Sequence, residues 1–166
     1  DFKAMPSIEE LEKLTSEMES FYPHAIKIVP TASTLTHSIQ MLQWTRNSTR
    51  GIARIGFAMG QKGAFSRIIT TVFGAPITYA SFGDAVAPGQ LSMDALLNCY
   101  RVPELNEDCL IYGVAGKDVN HSPKMEVMNQ QLKKKHSNAV CIPLESIELD
   151  ELLIILEDLN IKGIQL

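Results

Sequence analysis

The sequence predicts an α/β fold built on parallel strands. Short β-branched apolar runs recur along the chain, segments of helical period separate them, and glycine-containing turns follow several of the runs. With 166 residues, 45% hydrophobic and 20% charged, the chain can bury the core of one ordinary domain or of two small ones. Because strands that alternate with helices are joined by crossovers, the order favours a parallel sheet or a (β/α) barrel.

The first part of the chain, residues 1–102, is predicted to run α-β-α-β-α-β-α. Ser7 and Glu10 form a capping box in front of a helix over residues 8–21. Strands are predicted at "AIKIVPT", "ARIGFAMG" and "ITYASFG", and helices at "TLTHSIQMLQWTR", "GAFSRIITTVFG" and "SMDALLNCYRV". The opening, "DFKAMPSIEE", has no signal-peptide pattern, and we expect it to lie inside a longer chain.

Residues 103–109, "PELNEDC", form a polar stretch without periodicity, which we interpret as a linker. The second part, residues 110–166, is predicted to be a β-α-β-α-β unit that stops as its third strand begins. Its strands are "LIYGVAG", "AVCIPLE" and the start "KGIQL", and its helices are "SPKMEVMNQQLKKK" and "LDELLIILEDLN". Ser122 is the predicted N-cap of the first of these helices, with Pro123 at its first position.

Composition argues against several function classes. The net charge of -4 and the absence of a basic run longer than the "KKK" of residues 133–135 argue against a nucleic-acid partner. No apolar run approaches the roughly 20 residues that span a bilayer, so we expect no membrane association. The three cysteines are odd in number and lack CxxC spacing, which predicts neither a disulfide framework nor a metal site and fits a reducing compartment.

Three polar residues follow or interrupt the predicted strands of the first part. Lys27 lies within an apolar run, Arg67 follows the next strand in "MGQKGAFSR", and Gln90 follows the third in "AVAPGQL". A lysine among apolar neighbours loses hydration, which lowers its pKa and leaves an amine able to attack a ketone, while an arginine grips a carboxylate with two hydrogen bonds. Ordinary alternatives remain open: a snorkelling edge lysine, a surface ion-pair arginine and a simple turn at "APGQ".

Taken together, "IKIVPTA", "GFAMGQKGAFSR" and "TYASFGDAVAPGQL" resemble the C-terminal part of type I 3-dehydroquinate dehydratase, the Schiff-base class of the shikimate pathway. The resemblance covers residues 1–102 and implies the late strands of a (β/α)8 TIM barrel. It implies that Lys27 forms the imine, that Arg67 binds the substrate carboxylate, and that Gln90 belongs to a loop closing over substrate. Met59 would form an apolar wall beside the lysine. No metal or cofactor is implied for this reaction.

The stretch "IYGVAGKDVNHSPKMEVMN" is similar to the start of shikimate dehydrogenase, which implies the start of an α/β substrate-binding domain over residues 110–166. The usual loop has two serines that hold shikimate, whereas this chain has only Ser122. Shikimate binding and a helix-capping role are both open for Ser122. The resemblance implies NADP for the dehydrogenase half, with its site outside this chain.

These resemblances predict a piece of a bifunctional enzyme acting on small molecules: 3-dehydroquinate, 3-dehydroshikimate and shikimate. The general-base histidine of the dehydratase is expected just before Asp1 and the dehydrogenase lysine beyond Leu166, so we expect residues 1–166 alone to be inactive. The alternatives are a non-catalytic regulator built from the same domains and an α/β association module. The expected location is the cytoplasm, or the plastid for a plant source.

Overall fold

The computed structural model describes residues 4–48 and 51–166, apart from the side chain of His121. The α-helices, α1 to α5, are Ile8–Glu19, Leu35–Arg46, Ala64–Ile69, Lys124–Lys134 and Leu149–Asp158. The strands, β1 to β5, are Ala25–Ile28, Ala53–Gly56, Leu110–Ala115, Ala139–Leu144 and Ile164–Gln165. Short 3₁₀ turns cover Gln61–Gly63, Val102–Glu104 and Val119–His121, and a π-helical turn covers Ala95–Cys99.

The strands form two parallel sheets. In the first part, β1 pairs with β2 in a register that places Lys27 opposite Ile55. In the second part, β3 lies between β4 and β5 and is parallel to both. The predicted α/β fold with parallel strands is therefore confirmed. Because β1 and β2 run in the same direction, the loops that follow them leave from one edge of their sheet.

The predicted capping box of the first helix forms its hydrogen bonds, and a second cap is found at α2. The Ser7 amide donates to the Glu10 carboxylate at 2.9 Å, and the Glu10 amide donates to Ser7 Oγ at 3.2 Å, which completes the capping box. Thr34 Oγ1 accepts the His37 amide at 3.3 Å and caps α2. The predicted first helix is confirmed, although α1 ends at Glu19.

The third strand predicted for the first part, "ITYASFG", is wrong. Within the described residues its one β-type pairing is an isolated bridge between Ser81 and Ser92. The Ser81 amide donates to the Leu91 carbonyl at 2.9 Å, and the Met93 amide donates to the Ser81 carbonyl at 2.9 Å. The segment is extended as its β-branched and aromatic residues predict, but it bonds to the chain that follows it instead of to β2.

The start of α4 lies one residue later than predicted. Pro123 occupies the cap position before Lys124, and Ser122 lies just outside the helix. Ser122 Oγ still accepts the Lys124 amide, at 3.3 Å, so the predicted capping hydrogen bond forms from the neighbouring position.

One hydrophobic core crosses residues 103–109. Helices α2 and α3 of the first part contribute to the same cluster of buried side chains as β4 and α5 of the second part. Among its members are Leu35, Ile39, Phe65, Ile68, Val140, Ile142, Leu152 and Ile155. The division into residues 1–102, 103–109 and 110–166 stays a prediction.

We call the region between the two parts the junction. A buried arginine stabilises it. Arg101 is 3% exposed and comes directly before the turn at Val102–Glu104. Its terminal nitrogens donate to the Ala139 carbonyl at 2.9 Å, to the Ser137 carbonyl at 3.4 Å and to the Glu104 carboxylate at 3.1 Å. The guanidinium therefore ties the end of the first part to the start of β4.

Candidate active site

Lys27 lies on the open face of β1. Ile26 and Ile28 are 0% and 3% exposed, whereas Lys27 between them is exposed. Successive side chains of a strand point to opposite faces, so burial of the two isoleucines places the lysine on the other side. The expectation that its apolar neighbours bury the amine is therefore wrong for this structure.

Two aromatic rings lie beside the Lys27 amine on that face. Lys27 Nζ is 3.8 Å from the centroid of the Tyr79 ring and 5.9 Å from that of Phe57. The two rings are 5.8 Å apart, and Phe57 is 1% exposed. An ammonium group over aromatic faces is attracted by their quadrupoles, so the rings favour a position of the amine beside them even though the side chain is exposed.

Arg67 also lies next to this group, in α3, within the helix predicted at "GAFSRIITTVFG". Its side chain is 3% exposed, and Cζ lies 4.4 Å from the centroid of Phe57. No residue of the described ranges accepts a hydrogen bond from this guanidinium, and its Nε is buried without a partner. Burial lowers the pKa of Arg67 to about 10, so the group is still a cation at neutral pH.

A tight turn after β2 brings Arg67 back over Phe57. Gly60 has φ +88°, and a side chain at Gly63 would place its Cβ 2.5 Å from the Ala58 carbonyl oxygen. Ser66 Oγ donates to the Gly63 carbonyl at 2.6 Å and accepts the Ala58 amide at 2.9 Å. These bonds close the turn, and Arg67 follows directly on α3.

Met59 packs against the same aromatic group. It joins the small cluster of Val29, Ile55 and Phe57, with Tyr79 at its margin. Its backbone bridges Thr31, because the Met59 amide donates to the Pro30 carbonyl at 2.8 Å and its carbonyl accepts the Ala32 amide at 2.9 Å. Met59 is therefore packed against the aromatic group near Lys27, and its role as an apolar wall beside the lysine stays a prediction.

Gln90 organises its own loop. Its Oε1 accepts the Val86 amide at 2.9 Å, and the Pro88 carbonyl accepts the Gly60 amide at 3.1 Å. Among the described residues, no hydrogen bond joins the Gln90 side chain to Lys27 or Arg67. The loop of residues 85–90 is thus attached to the turn that precedes Arg67, and Gln90 borders a cleft of about 650 Å³ that also contains Gln61.

Ser122 lies apart from these residues. It is half-buried and lines a separate cleft of about 900 Å³ together with Asn120, Tyr100 and Lys133. Asn120 borders both clefts. The structure therefore brings together Lys27, Arg67 and Met59, places Gln90 on an attached loop, and puts Ser122 at a second location.

The aromatic pair was missed by the sequence reasoning. Phe57 and Tyr79 stand in predicted strands, where aromatic residues are usual and do not signal a site. Their place in the chain could have indicated the site. Phe57 directly follows β2 and Tyr79 comes before Gln90, so both are at the sheet edge from which the loops leave. In the described residues no group of three or more His, Cys, Asp or Glu side chains could hold a metal ion.

The family profile described as Type I 3-dehydroquinase matches residues 1–107. The chain belongs to this family. Among curated relatives, the chloroplastic bifunctional 3-dehydroquinate dehydratase/shikimate dehydrogenase of Arabidopsis thaliana is 31% identical over 146 residues, which are 87% of this chain and 24% of that protein. The 3-dehydroquinate dehydratase of Thermococcus gammatolerans is 38% identical over 96 residues, which are 58% of this chain and 43% of that protein.

The fold comparison agrees with the family assignment. The crystal structure of 3-dehydroquinate dehydratase from Geobacillus kaustophilus matches with a TM-score of 0.53 and 27% identity, over 57% of this chain and 38% of that one. This chain spans less than half the length of each of these relatives. The Arabidopsis match covers 87% of the chain and therefore extends past residue 107, into the second part. None of the helices in the described ranges has the length and apolar character needed to cross a membrane.

Proposed function

We propose that this chain supplies the imine-forming lysine and the carboxylate ligand of a 3-dehydroquinate dehydratase. The observation that carries the proposal is the group formed by Lys27, Phe57 and Arg67, in which both cations lie near one buried ring. The guanidinium is buried without an acceptor among the described residues. A buried cation without an anion is costly, and a substrate carboxylate would supply the missing partner.

Lys27 is proposed to attack the ketone of 3-dehydroquinate. Its nitrogen forms a bond to the carbonyl carbon, and the oxygen leaves as water after proton transfers, which gives a protonated imine. This imine draws electrons from the adjacent carbon and makes its proton acidic. A histidine, expected from the family resemblance, takes that proton and returns it to the departing hydroxyl. Water then releases 3-dehydroshikimate from Lys27.

Arg67 is proposed to hold the substrate carboxylate during these steps. The bidentate fork fixes the ring of the substrate relative to the amine of Lys27, and proximity of this kind lowers the barrier to attack. The loop of residues 85–90, with Gln90, would cover the bound substrate, and Met59 would exclude water on one side. No cofactor takes part in this half of the proposed activity.

The experiment is borohydride trapping in a protein that carries this segment within a complete dehydratase. Borohydride with 3-dehydroquinate or 3-dehydroshikimate should add stable mass to the peptide that contains Lys27, because reduction fixes the imine to the nitrogen. Lys27→Ala should remove the added mass. Lys27→Arg is the matched control, since it keeps the positive charge but cannot form this imine. Mass that persists in Lys27→Arg would place the nucleophile elsewhere.

A second activity is proposed for the second part because the Arabidopsis match extends into it. Residues 110–166 would begin the substrate-binding domain of an NADP-dependent shikimate dehydrogenase, with Ser122 as a shikimate ligand and the NADP site outside this chain. Ser122→Ala should raise the KM for shikimate about 5- to 30-fold by removing one hydrogen bond. An unchanged KM would leave Ser122 with its capping hydrogen bond alone.

Two further points stay proposals. Residues 1–166 alone are proposed to catalyse neither reaction, and purified protein of this span would test this in both assays.

Cytoplasmic location is proposed, with plastid location if the source is a plant, as the name of the Arabidopsis relative states for that protein. A regulator built from the same domains would show no imine trapping.

A further inference from the structure

The turn of residues 60–63 lies between the candidate dehydratase site and the second part. Its first residue, Gly60, donates to the Pro88 carbonyl of the loop that carries Gln90. Its last residue, Gly63, leads directly into α3 and Arg67. Whatever fixes this turn therefore fixes the origin of both elements that would contact substrate.

Glu151 of the second part binds the turn through Lys62. Lys62 Nζ donates to Glu151 Oε2 at 2.7 Å, with side chains 29% and 12% exposed. The same carboxylate accepts the Leu35 amide, at the start of α2, and the Ser146 hydroxyl, each at 2.5 Å. Burial raises the pKa of Glu151, but the hydrogen bonds from Lys62, Ser146 and Leu35 outweigh it, so the pKa lies below the ordinary value.

Asn120 of the second part binds the neighbouring residue of the same turn. Its Nδ2 donates to the Gln61 carbonyl at 3.1 Å and to Gln61 Oε1 at 3.0 Å. Glu145 Oε2 also accepts from Nδ2, at 3.0 Å, and from the Asn120 amide, at 3.4 Å. Two consecutive residues of the turn are therefore held by two side chains that lie beyond residue 109.

We propose that Glu151 is a positioning residue of the dehydratase site, acting through Lys62 and supported by Asn120. Glu151 fixes two places: the turn that follows β2, and the start of α2, which comes after the loop that follows β1. It thereby sets the distance between Lys27 and Arg67. This inference rests on the function proposed above. Ser38 Oγ donates to the Lys62 carbonyl at 2.9 Å, which holds the backbone from within the first part but leaves the ammonium group to Glu151.

The test compares Glu151→Gln, Lys62→Met and the double variant in a protein that carries this segment within a complete dehydratase. Each single change should raise the KM for 3-dehydroquinate about 3- to 10-fold, which corresponds to about 0.7–1.4 kcal/mol, because it frees the turn that leads into Arg67. The double variant should be no worse than either single one. Asp150→Asn is the control: it removes an exposed carboxylate from the same helix end and should leave KM unchanged.

A second readout separates this inference from the proposed function. Hydrogen exchange of the amides in residues 60–63 and 85–90 should become faster in Glu151→Gln than in Asp150→Asn, whether or not the protein is active. Failure of the unmodified protein to trap an imine would refute the proposed function but not the attachment. Unchanged exchange, or additive effects of Glu151→Gln and Lys62→Met on KM, would overturn the positioning role.

Discussion

Arg67 and Arg101 are equally buried, at 3% exposed each, yet their surroundings differ. At the junction, the terminal nitrogens of Arg101 reach two carbonyl oxygens and the Glu104 carboxylate. In the candidate site, the terminal nitrogens of Arg67 have no acceptor among the residues described, and its close neighbour is the Phe57 ring. The Nε of each group lacks a partner, so the difference lies in the terminal nitrogens. A buried arginine that has its partners stabilises the fold, whereas one without them is suited to an external anion.

The largest expected effect separates catalysis from stability at Lys27. In a protein that carries this segment within a complete dehydratase, Lys27→Met should lower kcat for 3-dehydroquinate dehydration by about 10³-fold or more, because the proposed nucleophile is lost. The melting temperature should stay close to that of the unmodified protein, since the side chain is exposed. Steady-state kinetics and a thermal melt check the two halves of this prediction. A large loss of stability would make Lys27 a structural residue like Arg101 and break the comparison.

The next effect belongs to the junction. Arg101→Met should lower the free energy of unfolding by about 2–4 kcal/mol, because the Ala139 and Ser137 carbonyls would lose their donor. Denaturant titration measures this change. Arg67→Met is the matched control, with the same substitution at the same burial, and it should leave stability within about 1 kcal/mol or raise it. Equal destabilisation by both substitutions would contradict the distinction between the two arginines.

For substrate binding, we expect the order of the two arginines to be reversed, with the larger effect at Arg67. Arg67→Met should weaken binding of 3-dehydroquinate about 10- to 150-fold, which corresponds to loss of a charge-assisted contact worth about 1.5–3 kcal/mol. Arg67→Lys should recover only part of this, because a single ammonium cannot form the bidentate fork. Calorimetric titration in a complete dehydratase measures both. Normal binding by Arg67→Met would mean that another group holds the carboxylate.

The smallest effect concerns pH at the contact between the two parts. Because its folded pKa is depressed, Glu151 contributes stability that is present above its ordinary value of 4.5 and lost as pH falls through the folded pKa. Glu151→Gln should therefore be less stable than the unmodified protein at pH 7, by about 1 kcal/mol or less. The difference should shrink as the pH is lowered below 4.5. Denaturant titrations at several pH values measure it, and a constant difference would contradict the assignment.

The local signals in the sequence predicted local structure well. The capping box of Ser7 and Glu10 and the apolar runs at β1 and β2 lead to the elements observed. The expectation that Lys27 is buried was wrong because it treated all residues of the apolar run as facing the same side. The alternation of Ile26, Lys27 and Ile28 already indicated that the lysine lies on the opposite face.

Long-range contacts were beyond the sequence reasoning. The extended segment around Ser81 was predicted as a strand because its composition is that of a strand, but its hydrogen bonds run to Leu91. The ion pair of Lys62 and Glu151 joins residues far apart in the chain, and no local pattern pairs them. Such contacts depend on how the two parts pack, which no local pattern specifies.

The hydrophobic core that crosses residues 103–109 also limits which amino-acid substitutions the chain can accept during evolution. Phe65 and Ile68 behind Arg67 belong to the same cluster as Ile142 on β4, so the size tolerated at one position depends on the residue at the other. A larger side chain on β4 would typically cost about 1–3 kcal/mol unless α3 changed with it. Each part therefore restricts which substitutions the other can accept. Replacing residues 110–166 by those of a distant relative would disturb the helix that carries Arg67.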